Sequence, residues 1–332
     1  FIDEVLRDFW TCLVSREVSL LGRKEVLSGR GKFGVFGDGK EVPQVALARV
    51  FRKGDHRAGY YRDQTIMFAL GISKVEDFFA QMYSDADHDP FSGGRQMNAH
   101  FATPYINDDG SFTDHVNIYN NSSDISCTAG QMARAVGLAM ASNKYRELKS
   151  LLGKKHQFSD RGREVCFCTI GDGSCAEGPF WEAINAAATV QIPLLVSVWD
   201  DGYGISVPIE KQIAKGSISE ALAGMQSNGE KVGLDVYRVE AWNYSKLVAT
   251  YEKAIKKVRK KQSPALIHVV ECTQPQGHST SGSHERYKSK QRLSWERDWD
   301  CNVKMENWIL KSGIADEETI EGMKSRAKSF VR

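Results

Sequence analysis

The chain has 332 residues, 41% of them apolar and 26% charged. That is the balance of one or two ordinary folded domains, and it excludes a disordered, collagen-like or disulfide-stapled chain. Lys and Arg number 44 against 42 Asp and Glu, a formal charge of +2, so bulk attraction to nucleic acid or a membrane surface is not expected. Seven cysteines, an odd number with no Cys-x-x-Cys spacing, indicate a reducing compartment. Cys166 and Cys168 sit in an apolar run and read as buried strand thiols, not as a metal pair. No run reaches the roughly 18 apolar residues of a membrane span, and no secretory signal is visible. A cytoplasmic protein is expected. The chain opens at Phe1, so a removed targeting segment, and with it an organelle matrix, stays open.

Residues 1–55 read as an amphipathic helical arm. It is interrupted by a Gly-rich loop at 29–34 and by the Gly/Asp loop Phe36-Gly37-Asp38-Gly39-Lys40. Residues 64–82 read as helical. Residues 84–123, rich in Asp, Asn, Gly and Ser, show no period; so long a stretch inside a compact domain is usually functional or disordered. A helix is predicted over 129–144, with Ala129, Ala133, Gly137 and Ala141 forming a small-residue face. Strands and helices then alternate: strand 164–170, helix 177–190, strand 193–199, strand 234–240, helix 244–262 and strand 265–271. In the helix at 244–262, Leu247, Val248, Tyr251, Ile255 and Val258 share one face. Lys253, Lys256, Lys257 and Lys260 share another, which reads as solvated. The last forty or so residues read as helices. The alternation predicts an α/β fold with a doubly wound, mainly parallel sheet covered on both faces. Ligands of such sheets lie at the carboxyl ends of the strands. The expected division is a helical arm (1–55), the α/β domain (56–290) and C-terminal helices packed on it (291–332).

Two of the strands end in segments that carry chemistry. One runs into Gly171-Asp172-Gly173-Ser174, the other into Asp200-Asp201-Gly202-Tyr203-Gly204-Ile205-Ser206. Glycines there let backbone N–H groups close around an anion. A carboxylate among them suits a divalent cation that bridges to the anion. The 26 residues from 174 to 199 are enough for a helix and a return strand, which brings Asp172 and Asp201 to one sheet edge. Two carboxylates with carbonyl, water and phosphate oxygens suit Mg²⁺. A lone Gly-Asp-Gly reads as a turn; the pair at this spacing carries the argument.

The pair resembles the thiamin-diphosphate motif, Gly-Asp-Gly followed at this distance by Asn-Asn, with Asp200-Asp201 in place of the asparagines. Asp201 keeps an oxygen donor and adds a negative charge. With four further segments in family order, residues 45–330 are similar to the E1 α subunit of 2-oxo acid dehydrogenase complexes. His56-Arg57-Ala58-Gly59-Tyr60-Tyr61-Arg62-Asp63 resembles the segment that holds the cofactor diphosphate. Arg62 suits phosphate oxygens through its planar fork, and pairing with Asp63 is the open alternative. Gly94-Arg95-Gln96-Met97-Asn98-Ala99-His100 resembles the branched-chain form of a loop. Ser126-Cys127-Thr128-Ala129-Gly130-Gln131 is similar to the aminopyrimidine-side segment that helps hold a structural K⁺, with an altered middle. Gln274-Pro275-Gln276-Gly277-His278-Ser279-Thr280-Ser281 resembles the loop bearing an active-site His and, in animal enzymes, phosphoserines. His278 and Ser279 match those positions.

The resemblance implies thiamin diphosphate and Mg²⁺ as cofactors. It implies Tyr60, Tyr61, Arg62, Ser126, Thr128, Gly171, Asp172, Gly173, Ser174, Asp201, Tyr203, Gly204, Ile205 and His278 as cofactor contacts. Asp172, Asp201 and the Tyr203 carbonyl are the implied metal ligands, and His278 the catalytic residue. The glutamate that activates the aminopyrimidine belongs in the family to the E1 β subunit. A β subunit, or a β half of the same polypeptide, is therefore the implied partner, together with a lipoyl-bearing E2. The implied reaction is oxidative decarboxylation of a branched 2-oxo acid such as 2-oxoisovalerate, with acyl transfer to lipoyl-E2. A pyruvate or acetoin dehydrogenase, a transketolase-type transferase and a catalytically decayed scaffold are the alternatives. Lys288, Lys290 and Arg292 read either as docking charges for an acidic partner or as loop solvation.

Overall fold

Along the central strands, alternate side chains feed two separate cores, the signature of a sheet covered on both faces. The computed structural model describes residues 1–148, 150–151 and 155–332. The main sheet has six strands: β1 (His56–Ala58), β2 (Asn120–Asn121), β3 (Cys166–Gly171), β4 (Leu194–Trp199), β5 (Asp235–Glu240) and β6 (Ala265–Val270). Their spatial order is β2-β1-β3-β4-β6-β5, and every pairing is parallel. Cys166, Cys168, Ile170, Leu194, Val196 and Val198 meet Met132, Ala135, Phe180 and Ile184. The last four lie on helices α5 (Gln131–Glu147) and α6 (Gly178–Val190). Phe167, Leu195, Trp199, Ile267 and Val269 point the other way, toward Leu247, Tyr251 and Ile255 of α7 (Tyr244–Lys261). That second core extends to α1 (Ile2–Leu27), α2 (Glu41–Ala48), α9 (Cys301–Lys311) and α10 (Glu317–Val331). The doubly wound α/β arrangement is thus as expected.

Several local expectations change. The helix expected over 64–82 is two, α3 (Gln64–Leu70) and α4 (Val75–Met82). Gly71 ends the first with φ +67°, and Asp77 accepts the Lys74 N–H at 2.8 Å to start the second. β1 is only three residues and polar, so it shows no apolar run. Ala133, Gly137 and Ala141 are exposed, while Met132, Ala135 and Ala139 face the sheet. Of the expected small-residue face only Ala129, which precedes the helix, is buried in the core; the other three do not pack within the chain. All seven cysteines are free, and Cys166 and Cys168 are buried in β3 as expected.

What holds β1 in place is a charge. Arg57 is fully buried and paired with Asp63 and Asp124, both also buried. Asn121 of β2 accepts a further bond from the guanidinium. Asp63 in turn accepts from Thr169 of β3 and from Trp199 Nε1 of β4, the latter at 3.1 Å. Removing the guanidinium would strand two carboxylates away from water, and such a loss costs about 3–5 kcal/mol. Arg57→Met is expected to lower the unfolding free energy by that amount, read as a lower urea midpoint with the slope retained.

The neighbouring His56 lies against His115, ring centroids 6.4 Å apart. Burial, with a smaller contribution from His115, pushes its imidazole down to about 4. The unfolded chain binds that proton near pH 6.5 and the folded chain only near 4. Stability should therefore fall as pH drops through this window, by up to roughly 3 kcal/mol from this residue. Urea unfolding of His56→Gln between pH 7 and 4.5 should show a shallower loss than the wild type.

Candidate functional site

The chain leaves β1 toward β2 on one side and returns to β3 on the other. Ligand crevices form outside the carboxyl ends at such a reversal. Here a cavity of about 230 Å³ opens at the ends of β1, β3 and β4. Tyr60, Tyr61 and Arg62 come after β1; Gly171, Asp172, Gly173 and Ser174 come from the end of β3; Asp201, Tyr203, Gly204 and Ile205 come after β4. Thr128 closes one wall, and His278 arrives from the loop beyond β6. Of the residues expected from sequence, only Ser126 is not in the wall; its hydroxyl lies 2.7 Å from His100 Nε2. Lys40, Trp199 and Gln212 complete the lining and were not anticipated. The signal for Lys40 was available: a second Gly-Asp-Gly, at 37–39, runs straight into it ahead of a helix.

One side of the cavity suits an anion. Arg62 donates to the carbonyls of Phe36 and His278, each at 2.7 Å. Asp63 is taken by Arg57, so the alternative pairing of Arg62 with Asp63 is not what forms. Among the described residues no carboxylate forms an ion pair with Arg62, and its buried charge is left for the cavity. The two glycine loops meet closely: a Cβ on Gly173 would lie 2.8 Å from Gly204 Cα. Backbone amides there have no side chain in front of them. Tyr60 Oη is buried without a hydrogen-bond partner.

The opposite side holds Asp172 and Asp201 in the lining, with Asp200 next to them but outside it, and the three carboxylates differ in their partners. Asp200 accepts from His268 Nε2 at 2.7 Å, while His268 Nδ1 accepts the Ser219 N–H. Asp201 pairs with the Lys40 ammonium at 2.9 Å. Burial works against its charge, but Lys40 and then His278 outweigh that and hold its carboxyl well below the usual range. Among the described residues Asp172 has no such partner, and its Oδ2 is buried and unbonded. Burial first, then the charges of Asp201 and Asp200, push its carboxyl well up. No cluster of three or more His, Cys, Asp or Glu side chains is gathered for a metal among the described residues. The expected ligand set is two carboxylates and a carbonyl.

His278 Nε2–H donates to the Tyr203 carbonyl at 3.0 Å and lies 3.3 Å from Asp201 Oδ1. Its Nδ1 accepts the Tyr287 hydroxyl at 3.4 Å. The Asp201–Tyr203 turn is braced from α8 (Lys290–Asp298), where Arg292 donates to the Asp201 carbonyl at 2.5 Å. Arg292 and the buried Lys288 both pair with Glu296. These two cations are internal braces, not free docking charges.

An ionised Asp172 destabilises the ligand-free protein. Its native carboxyl titrates above the unfolded value of 3.8. The folded state therefore holds the proton longer, and stability falls as pH rises from there through the raised native value. Asp172→Asn should remove that decline and stabilise the ligand-free protein at pH 7 by about 1–3 kcal/mol, measured by urea unfolding. The same variant should lose cation-dependent ligand binding.

The profile of the family described as "Dehydrogenase E1 component" matches residues 14–332. The 2-oxoisovalerate dehydrogenase subunit alpha of Bacillus subtilis (strain 168) is 26% identical over 337 aligned positions, covering 99% of this chain and 88% of that protein. The mitochondrial 2-oxoisovalerate dehydrogenase subunit alpha of Caenorhabditis elegans is 27% identical over 87% of the chain, and subunit alpha 2 of Arabidopsis thaliana 25% over 90%. The chain spans 58% and 56% of the length of those two relatives. With its doubly wound sheet and its cavity at the strand ends, the chain belongs to the dehydrogenase E1 component family.

Proposed function

We propose that this chain is the α portion of a thiamin-diphosphate-dependent 2-oxo acid dehydrogenase E1, acting on a branched 2-oxo acid and passing the acyl group to lipoyl-E2. The observation that supports it best is the cavity's division: an uncompensated guanidinium and a glycine cradle on one side, an orphaned carboxylate on the other. A metal-bound diphosphate needs that pairing of charges. The residues fit both groups. Tyr61 and Arg62 would hold the diphosphate, with the 171–174 and 203–205 loops giving amides. Asp172, Asp201 and the Tyr203 carbonyl would hold Mg²⁺, and His278 would release that carbonyl as the ion enters.

When bound, the thiazolium supplies the electron sink for decarboxylation. The chain's own residues bind and orient. Arg62 fixes the diphosphate end, Tyr60 and Trp199 shield it from water, and His278, with Nε2–H toward the site and Nδ1 on Tyr287, holds or moves a proton beside the reacting carbon. The cavity, about 230 Å³, is below the roughly 300–1,000 Å³ of a complete small-molecule site. The remainder of the cofactor would lie against a β subunit or β half. Residues 56–290 would form the cofactor domain, with 1–55 and 291–332 as helices on it. The exposed Ala133, Gly137 and Ala141 suit close approach by a partner helix. Among the described residues no helix is long and apolar enough to cross a membrane. The free cysteines agree with a cytoplasmic setting.

Arg62→Gln should weaken thiamin diphosphate binding to the assembled protein by at least about tenfold while the fold persists. Equilibrium dialysis with Mg²⁺ measures it; unchanged affinity would overturn the diphosphate assignment. On the assembled E1, kcat/KM for 2-oxoisovalerate should exceed that for pyruvate. One extra methylene in an apolar pocket discriminates by roughly 10–200-fold. A ratio at or below one would remove the branched-chain assignment and leave the cofactor assignment standing.

A further inference from the structure

Two carboxylates line the cavity, Asp172 and Asp201, and a residue from outside the sheet sets how much of their charge a ligand meets. Lys40 lies just ahead of α2 and is almost fully buried. Its loop reaches the sheet because Gly39, at φ +84°, has no side chain; a Cβ there would collide with the Thr273 carbonyl. The Lys40 ammonium donates to that carbonyl at 2.9 Å, to Gln274 Oε1 at 2.7 Å and to Asp201 Oδ2 at 2.9 Å. An ammonium has three hydrogens, and all three are used within the chain. Lys40 therefore has no hydrogen left for a phosphate oxygen. What it brings to the site is charge, directed at Asp201.

We propose that Lys40 is a positioning residue whose ion pair with Asp201 acts as one neutral ligand unit, so that the site accepts a divalent cation together with a diphosphate and not a divalent cation alone. Asp200, hydrogen-bonded to His268, is not part of the lining, so with Lys40 in place Asp172 is the one lining carboxylate with no cation paired to it among the described residues. One such charge plus a divalent ion leaves the site positive, and it attracts the diphosphate. Without Lys40, two carboxylates would cancel the ion and hold it with no diphosphate present. Lys40 takes Asp201 Oδ2, which leaves Oδ1, beside the Tyr203 N–H at 3.2 Å and His278 Nε2 at 3.3 Å, as the oxygen the pair offers once His278 gives way to the ion. The diphosphate part of this inference rests on the function proposed above.

The test is a charge-exchange cycle on the full-length protein. It uses Lys40→Gln, Asp201→Asn and the double variant. Mn²⁺ binding is read by electron paramagnetic resonance, with and without inorganic diphosphate. In the wild type, diphosphate should tighten Mn²⁺ at least about tenfold. Lys40→Gln should tighten Mn²⁺ alone by a similar factor and lose the diphosphate enhancement. Asp201→Asn, with its ammonium unpaired, should weaken Mn²⁺. The double variant should return within about threefold of the wild type. Simple structural damage would move both single variants the same way. Shifts in one direction, unchanged affinities, no Mn²⁺ binding by the wild type, or a double variant that fails to recover would each overturn the proposal. If either single variant does not fold, recovery in the double variant decides the matter. Neither probe is thiamin diphosphate, so failure of that cofactor to bind would count against the proposed function alone.

Discussion

A guanidinium buried on the strand next to the sheet's edge is the constraint on which the rest of the molecule depends. Arg57 sits on a three-residue strand with little apolar surface of its own. A strand so short and polar holds its position only if its charge is met from several sides. Asp63 meets it from the loop after β1 and Asp124 from beyond β2. Because Asp63 also receives Thr169 and Trp199, three neighbouring strands are tied at their carboxyl ends by one carboxylate. Trp199 lines the cavity, so the same network forms its floor. Displacing this network would move Tyr60 to Arg62, on the cavity wall, with it.

The site extends this use of buried charge and leaves it incomplete. Asp200 has His268 and Asp201 has Lys40, while Asp172 has an oxygen with no partner. On the facing wall Arg62 has carbonyls but, among the described residues, no counter-ion. A folded chain rarely leaves one buried charge of each sign unpaired across a gap, since each costs desolvation free energy. A ligand carrying both signs, such as the proposed cation on a diphosphate, would remove both costs at once. The brace from α8 matters for the same reason: Arg292 on the Asp201 carbonyl and the Lys288–Glu296 pair keep the turn from collapsing into the gap.

How much was legible in the sequence depended on whether the signal was local. Helices and strands from residue 129 onward are set by apolar periodicity, which reports burial on one or two faces. The Gly-Asp-Gly segment and the Asp200–Tyr203 turn could be placed together because one strand–helix–strand unit separates them. The single helix expected over 64–82 failed at Gly71, where the missing Cβ permits a left-handed turn that an apolar pattern does not register. β1 was invisible for the opposite reason: its place rests on an ion-pair network contributed by residues up to 67 positions away, not on hydrophobic pattern.

By itself, the sequence determined the fold class and the two loops that carry the carboxylates, because these depend on short spacings along the chain; the other expected lining residues came from the family resemblance. Only the tertiary structure decided which charges meet. Asp63 takes Arg57 and not its neighbour Arg62; Lys288 and Arg292 turn inward to Glu296; Lys40 crosses from the N-terminal segment to Asp201. Ion pairs act through space and fall off with distance, whereas sequence order constrains distance only within an element or between adjacent ones. Across the 161 positions that separate Lys40 from Asp201, only the folded chain brings the two charges to 2.9 Å.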